Sequence, residues 1–247
     1  MKNIRLIQLT EAQYNVIAIL TRVCLIYTPR AGTEGLSGNQ LSKENRKGLD
    51  MKGIVDSDCL QQLFLDARSY NGWHDTPVTE EQLRRLYDIL KMGPTAFNCC
   101  PGRFVFLRSA EAKERIKPHL RPNNIIKTMT APVIAIIAHD IRFYECFEQL
   151  TPFRPENKDH FVGNEALSKT VAFRNGSLQG AYLMLAARAV GIDCGPMSGF
   201  DNAGVDAEFF PEGHIKSNFI SGLGQGNSDS IFERLPRFDF DEVCEIL

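Results

Sequence analysis

The spacing of apolar residues predicts a helix that begins just after Thr79. Thr79 and Gln82 form a capping-box pattern, and apolar residues then recur at helical spacing as far as Leu90. The dipeptide Gly93-Pro94 ends this pattern. The next segment, GPTAFNCCPGRFVFL (residues 93–107), is therefore interpreted as a loop that leads from a helix into a strand.

Further apolar runs predict strands and helices downstream of this loop. Phe104–Leu107 is a short strand pattern, and Ser109 is suited to cap the short helix that follows. The run PVIAIIA (residues 132–138) has no polar position, which indicates a strand buried on both faces at the centre of a sheet. Residues 170–190 predict the longest helix, and residues 219–223 predict the last strand.

The first 50 residues differ in character from the rest. Residues 14–27 are mostly apolar but too short for a membrane-spanning helix, which takes about 20 apolar residues, and no convincing signal-peptide cleavage site follows. Residues 32–48 are polar and rich in Gly, Ser, Asn and Lys, as flexible linkers are. We predict that residues 1–50 are a disordered extension or a mis-assigned start, and that residues 51–247 form one domain.

Charge and cysteine content narrow the possible functions. The net charge is −2 at pH 7, and basic residues are scattered among acidic ones, which argues against a nucleic-acid partner. The seven cysteines show no C-x-x-C spacing, which argues against a zinc or thioredoxin-type site. A reducing compartment suits them best. We therefore predict a cytoplasmic protein without a membrane partner.

Several kinds of chemistry are disfavoured by residue spacing. Gly222, Gly224 and Gly226 have the spacing G-x-G-x-G, not that of a dinucleotide-binding fingerprint, and are interpreted as a turn. The histidines lack metal-ligand spacing, and no serine stands in G-x-S-x-G. The sequence supplies no base for Cys99 or Cys100, so both are interpreted as pocket-lining residues, with a vicinal disulfide as an alternative.

Five short polar clusters lie at the ends of predicted elements. Each one alone is explained as a cap, a turn or a solvated charge, but together they indicate a single site. The clusters are RSYN (68–71), PTAFN (94–98), NIIK (124–127), GPMSG (195–199) and RLPR (234–237).

The order and spacing of these clusters resemble the FMN-dependent nitroreductase family over essentially all of residues 56–247. Residues 93–107 are similar to that family's loop Pro-Ser-Ser-x-Asn-x-Gln-Pro-Trp-x-Phe, and RLPRFDFDEV is similar to its C-terminal arginine segment. The segments DARSYNGW, KTMTAPV, AFRNGSLQGAYL and GPMSGFD resemble the branch that contains malonic semialdehyde reductase. The resemblance implies an α+β fold: three α/β/α layers around a mostly antiparallel sheet, in an intertwined homodimer.

The resemblance also implies FMN as the cofactor and NAD(P)H as the reductant. Arg68, Ser69 and Arg234 correspond to residues that bind the FMN phosphate, with Arg237 as a second candidate. Asn71 departs from the family, which usually has a basic residue near the ribityl chain or the flavin edge at this position.

The flavin ring is assigned to two other clusters. Asn124 corresponds to an asparagine that hydrogen-bonds the pyrimidine edge, and Lys127 would place a cation near the same edge. The backbone of GPMSG corresponds to the segment that approaches flavin N5, where a glycine permits close approach. The residues assigned there are Pro196, Met197, Ser198 and Gly199.

Pro94, Thr95 and Asn98 correspond to positions that reach the flavin of the partner subunit. No side chain is assigned as a catalytic acid or base, and no metal is predicted. The implied reaction is ping-pong hydride transfer from NAD(P)H through FMN to a small organic acceptor. The branch suggests malonic semialdehyde, reduced to 3-hydroxypropionate. A broad nitroaromatic or quinone reductase and a flavin-binding protein without turnover are the alternatives.

Overall fold

A computed structural model describes residues 53–247, and the prediction for residues 1–50 lies outside this range. Within it, four strands form one antiparallel sheet in the order β1-β2-β4-β3. The strands are β1 Gly102–Leu107, β2 Val133–Asp140, β3 Asp193–Met197 and β4 Ile215–Gly224.

Eight α-helices surround or flank this sheet in the described range. They are α1 Ser57–Leu60, α2 Glu80–Leu90, α3 Ala110–Ile116, α4 Pro122–Met129, α5 Phe147–Leu150, α6 Glu165–Ala189, α7 Asn202–Phe209 and α8 Phe240–Val243. Short 3-10 turns and one π-helical turn, Gln61–Leu65, connect some of them. None of the helices in this part of the chain combines the length and apolar character that a membrane crossing requires.

The locally encoded elements form where the sequence predicts them. The reciprocal capping box of Thr79 and Gln82 begins α2, and the hydroxyl of Ser109 accepts a hydrogen bond from the backbone of Ala112 at the start of α3. The long helix α6 begins earlier than predicted, because the side chain of Asn164 caps it by accepting from Leu167 N at 3.2 Å.

Strand β2 is the centre of a three-layer arrangement. All of its residues are buried, as its uninterrupted apolar run predicts. One set of alternate side chains, including Val133 and Ile137, packs with α2 and α6. The other set, including Ile134 and Ile136, packs with α3 and α7. The predicted α+β arrangement, with helices on both faces of an antiparallel sheet, is therefore confirmed, whereas the homodimer stays a prediction.

The strand predicted over residues 219–223 is confirmed, whereas the turn predicted at Gly222 and Gly224 is wrong, because β4 continues through both glycines. A Cβ atom at Gly222 would overlap the indole ring of Trp73, and one at Gly224 would overlap Pro132 and lie 3.3 Å from that indole ring. Gly226 forms an isolated bridge with Trp73 and abuts the ring of Tyr70. The glycines thus make room for two aromatic residues, which attach the segment around residues 70–73 to the sheet.

Candidate functional site

The first polar cluster lies alongside the start of β3. Ser69 pairs with Cys194 in an isolated parallel bridge, and Tyr70 N donates to Cys194 O at 3.1 Å. Gly195 is buried directly against the backbone of Tyr70, where a side chain would overlap the carbonyl oxygen. This contact brings the RSYN and GPMSG clusters, 68–71 and 195–199, to the same edge of the sheet.

Four arginines surround a cavity of about 320 Å³ beside this edge. Among residues 53–247, none of the four forms an ion pair with a carboxylate. The polar side chains that line the cavity are Arg68, Ser69, Arg188, Glu233, Arg234 and Arg237. The structure thus brings together the four residues that the sequence assigns to one phosphate group, and adds Arg188.

Backbone carbonyl groups accept hydrogen bonds from all four arginines; Arg237 contacts its own neighbours in the chain, and the other three contact carbonyls that are distant in sequence. Arg68 donates to the carbonyl of Phe232, and Arg234 donates to Leu65 O at 2.6 Å. Arg188 Nη1 donates to Leu63 O at 2.8 Å. Each guanidinium has five N–H donors, so these contacts leave donors available for a ligand. The cavity therefore has the positive charge and the hydrogen-bond donors that bind a phosphate group.

A second group of contacts connects Asn71 with Lys127. The Asn71 side chain donates to Ser230 O at 3.1 Å, and its Oδ1 accepts from Lys127 Nζ at 3.4 Å. Trp73 Nε1 donates to the carbonyl of Lys127 at 3.0 Å. Burial lowers the pKa of Lys127 from its ordinary value. This group places an ammonium beside the first polar cluster.

The third group of contacts joins Asn124 to Gly199. Asn124 is buried, and its Nδ2 donates to Gly199 O at 2.8 Å. A Cβ atom at residue 199 would lie 2.6 Å from that nitrogen, so the close contact requires glycine. Pro196 is half-buried and Ser198 is exposed. The side chain of Met197 instead lies in the core, where its sulfur accepts from Thr128 Oγ1 at 3.6 Å.

The PTAFN cluster lies elsewhere in the described chain. Thr95 Oγ1 accepts from Cys100 N at 3.2 Å, and Asn98 Nδ2 donates to Leu150 O at 2.9 Å. Pro94 O accepts from the hydroxyl of Tyr182 at 3.0 Å. Within residues 53–247, no hydrogen bond or ion pair connects Pro94, Thr95 or Asn98 to the other four clusters. Their assignment to a partner's site stays a prediction.

The backbone of this loop is strained. Phe97, Asn98 and Cys100 have positive φ angles of 56°, 50° and 37°. Asparagine tolerates this region, whereas Phe97 and Cys100 occupy it at a cost. Cys99 is fully buried beside Phe143 and Phe161, and burial raises the pKa of its thiol to about 12. Cys99 therefore serves as a core residue with an unreactive thiol.

Sequence reasoning did not assign Arg188, Trp73 or Ser230 to the site. Arg188 lies in the last turn of α6, where a basic residue is ordinary because it interacts favourably with the helix dipole. Ser230 accepts hydrogen bonds from the backbone of Asn71 and Gly72. The segment DARSYNGW contains Trp73, but the role of Trp73 depends on residues distant in sequence. Its ring lies against glycines of β4, and its Nε1 donates to the carbonyl of Lys127.

Known proteins are similar to this chain in sequence and in fold. A family model described as "Nitroreductase family" matches residues 66–211. A protein of Cupriavidus pinatubonensis named "Putative NADH dehydrogenase/NAD(P)H nitroreductase" is 50% identical over 192 residues, which are 77% of this chain and 98% of that protein. A protein of Ralstonia pickettii with the same name and the addition HadB is 52% identical over 189 residues, 76% of this chain and 96% of that protein.

Solved structures share the fold at lower identity. A Bacillus subtilis protein described as "putative nitroreductase ydfN" has a TM-score of 0.67 at 23% identity, covering 76% of this chain and 98% of that one. A protein of Exiguobacterium sibiricum described as a "putative nitroreductase in complex with FMN" has a TM-score of 0.69 at 16% identity, covering 79% of this chain and 100% of that one. These structures confirm the predicted fold.

Proposed function

The chain belongs to the nitroreductase family, and from this premise we propose that it is an FMN-dependent NAD(P)H oxidoreductase that reduces a small organic acceptor. The observation that carries the proposal is the cavity of four arginines, none of which forms an ion pair with a carboxylate of residues 53–247. A phosphate monoester has a charge of about −1.5 to −2 near pH 7. Arg68, Arg188, Arg234 and Arg237 offer the charge-assisted hydrogen bonds that such a dianion needs.

Residues of the clusters 68–71, 124–127 and 195–199 suit the ribityl chain and the ring of FMN. The amides of Asn71 and Asn124 and the ammonium of Lys127 are polar groups suited to a ribityl chain and a pyrimidine ring. The absence of a Cβ atom at Gly199 lets the Asn124 amide lie directly against the 195–199 segment, so these two clusters are held together. When bound, FMN supplies the hydride chemistry between NAD(P)H and the acceptor. The chain's own residues bind and orient the cofactor, and none is assigned as a catalytic acid or base.

We propose malonic semialdehyde as the acceptor on the basis of the four segments that resemble the malonic semialdehyde reductase branch. A nitroaromatic compound and a quinone are the competing acceptors, and the relatives' names favour the former. Comparison of kcat/KM for the three compounds with the purified holoenzyme decides between them. A value for the semialdehyde well below the other two contradicts the choice.

We also propose that the functional unit is a homodimer. The C-terminal segment exposes large apolar side chains, which a second copy would cover. Their exposed fractions are Phe232 77%, Leu235 74%, Phe238 74% and Phe240 57%. Pro94, Thr95 and Asn98 then reach the partner's cofactor. Sedimentation equilibrium of the holoprotein at micromolar concentration tests this proposal, and the mass of a monomer, 27.8 kDa, contradicts it.

The experiment for the cofactor site replaces Arg234 with alanine. Loss of a hydrogen bond to a charged group costs roughly 1.5–3 kcal/mol, so the Kd for FMN should rise about tenfold to about a hundredfold. Arg84→Ala is the matched control, because Arg84 is exposed and pairs with Glu80 away from the cavity. FMN binding is measured by quenching of flavin fluorescence. Equal Kd values for the two variants show that Arg234 does not bind the phosphate.

The same preparation separates an enzyme from a flavin-binding protein without turnover. Anaerobic NADPH or NADH should bleach the absorbance of bound FMN, and an acceptor should restore it. A flavin that binds tightly but stays oxidised for minutes contradicts enzymatic function. A wild-type protein that does not bind FMN contradicts the whole proposal.

A further inference from the structure

Two buried amide side chains of α6 contact the backbone of the loop before β1. Asn175 and Gln179 are 2% and 5% exposed, and they lie one helical turn apart on the same face of α6. Asn175 Oδ1 accepts from Ala96 N at 2.9 Å, and Gln179 Oε1 accepts from Gly102 N at 2.7 Å. A buried amide oxygen without a donor is costly. The two side chains therefore attach both ends of this loop to one helix.

An arginine and a buried carboxylate attach the carbonyl groups at the end of the same loop. Nη1 of Arg103 donates to three successive carbonyl groups, those of residues 100–102, at 3.2, 3.3 and 3.1 Å. Its Nη2 donates to Asp140 Oδ2 at 2.8 Å. Asp140 is buried, and its other oxygen accepts from His214 Nδ1 at 2.9 Å. Because Asp140 is itself held by two partners, the guanidinium has a fixed position against the loop.

The strained residues of the loop lie between these attachments. Phe97, Asn98 and Cys100 have positive φ angles, which residues other than glycine adopt at a cost. Such strain persists only where the surrounding structure over-determines the backbone, and it is concentrated at functional sites and ligand clamps. The two amides and the guanidinium supply that over-determination. Without them, we expect the loop to relax toward ordinary backbone angles.

The strained form of the loop sets the positions of two hydrogen-bond donors. Thr95 Oγ1 accepts from Cys100 N at 3.2 Å, so the orientation of this hydroxyl depends on the closed loop, and its proton is still available to donate. Asn98 Nδ2 donates to Leu150 O at 2.9 Å and retains a second N–H. Relaxation of the backbone would displace both donors.

We propose that Asn175, Gln179 and Arg103 are positioning residues for the cofactor, which act through the backbone of this loop. They hold the loop in its strained form, and the loop holds Thr95 and Asn98 in the geometry that contacts FMN. The inference rests on the proposed function and on its homodimer, in which Thr95 and Asn98 reach the partner's cofactor. A loop that is already ordered before FMN arrives binds it more tightly, because less freedom is lost on binding.

The experiment changes each attachment without altering a residue assigned to contact FMN. Gln179→Met removes the acceptor oxygen and keeps the length of the side chain, whereas Gln179→Glu keeps an acceptor oxygen. Asn175→Leu removes the acceptor at the other end of the loop. The control is Ser217→Ala, because Ser217 is buried and its hydroxyl accepts from Asn202 Nδ2 at 3.0 Å, at the start of α7.

Two quantities are measured for each variant: the Kd for oxidised FMN, by fluorescence quenching, and the free energy of unfolding in urea. Loss of one neutral hydrogen bond that holds the binding-competent form should raise the Kd about twofold to about tenfold for Gln179→Met and Asn175→Leu. Gln179→Glu should bind FMN more tightly than Gln179→Met, and Ser217→Ala should lose stability with its Kd unchanged. Variants of Gln179 and Asn175 that lose stability but keep the wild-type Kd overturn the inference, and so does equal weakening by Gln179→Met and Gln179→Glu.

A double-mutant cycle tests whether the attachment acts against backbone strain. Cys100→Gly places a residue that tolerates positive φ at a strained position. In this background Gln179→Met should raise the Kd by a smaller factor than it does in the wild type, because less strain has to be opposed. An equal factor in the two backgrounds overturns the inference.

Hydrogen exchange of the unsubstituted protein provides a test that does not depend on the folding of any variant. The amides of Ala96 and Gly102, which donate to buried side chains, should have protection factors well above that of exposed Glu212. Protection equal to that of Glu212 overturns the inference.

These outcomes are separate from failure of the proposed function. If the wild type binds FMN and the loop variants behave like Ser217→Ala, the function stands and the positioning role is wrong. If the wild type does not bind FMN, the proposed function is wrong.

Discussion

Replacement of Gly195 with alanine should damage both the fold and the candidate cofactor site. A Cβ atom at residue 195 would overlap the carbonyl oxygen of Tyr70 and lie 2.9 Å from Cζ2 of Trp73. The first of these atoms belongs to the backbone, so a side-chain rotation cannot relieve the overlap. The segment containing Tyr70 must therefore move away from β3 by about 1 Å to reach ordinary van der Waals contact.

The expected losses of stability and of FMN affinity follow from the contacts that this movement disrupts. Overpacking of a close-packed site costs roughly 1–3 kcal/mol, and the hydrogen bond from Tyr70 N to Cys194 O lies in the displaced contact. Arg68 and Ser69 directly precede Tyr70 and line the arginine cavity. If half of that cost, roughly 0.5–1.5 kcal/mol, falls on the bound state, the Kd for FMN rises about twofold to about tenfold.

Two assays test this prediction. Urea denaturation of the FMN-free protein measures the free energy of unfolding, and fluorescence quenching measures the Kd for FMN. Gly53→Ala is the matched control, since no atom lies within 4 Å of a Cβ placed there. A Gly195→Ala protein that equals the control in both measurements refutes the reasoning, because the 68–71 segment then does not lie tightly against β3.

Two further predictions concern buried titratable groups. Burial lowers the pKa of His139, despite the opposing effects of Asp206 and Asp140. The unfolded chain then binds the proton first, so stability should fall as the pH drops below about 6.5. In urea midpoints measured between about pH 7.5 and about pH 5.5, His139→Gln should reduce this fall, and equal falls contradict the assignment. Burial raises the pKa of Cys99 and of Cys194 to about 12, so iodoacetamide should label the exposed thiols of the native protein and leave these two unmodified until it unfolds. Peptide mass spectrometry identifies the labelled cysteines, and labelling of Cys99 in the native protein contradicts the prediction.

The elements that the sequence predicts correctly are those whose signals are local. The capping box at Thr79 and the uninterrupted apolar run of β2 each contain the information within a few residues. Strand β3 was not predicted, because Gly195 and Pro196 are poor strand formers. It forms because it pairs with β4. Gly222 resembles a turn residue until the ring of Trp73, distant in sequence, is placed against it.

The residues of the candidate site were likewise predicted only in part. Arg68 and Arg234 were assigned by resemblance to a family, and the structure places both at one cavity. Arg188 could not be recognised, because a basic residue in the last turn of a helix already has an ordinary explanation. The contact between Asn71 and Lys127 was also invisible, since it depends on how α4 lies against the segment before Trp73.

The arginine cavity is lined from both ends of the described domain. Arg68 and the carbonyl that it contacts, at Phe232, are separated by 164 positions. A ligand held between these segments acts as a removable cross-link, which stabilises the folded chain in proportion to the logarithm of its concentration. Arg68 and Arg237 stand 169 positions apart in the sequence (237 − 68), so the cavity cannot be complete until the ribosome has synthesised the whole segment between them. Cofactor capture therefore has to follow synthesis of that entire segment.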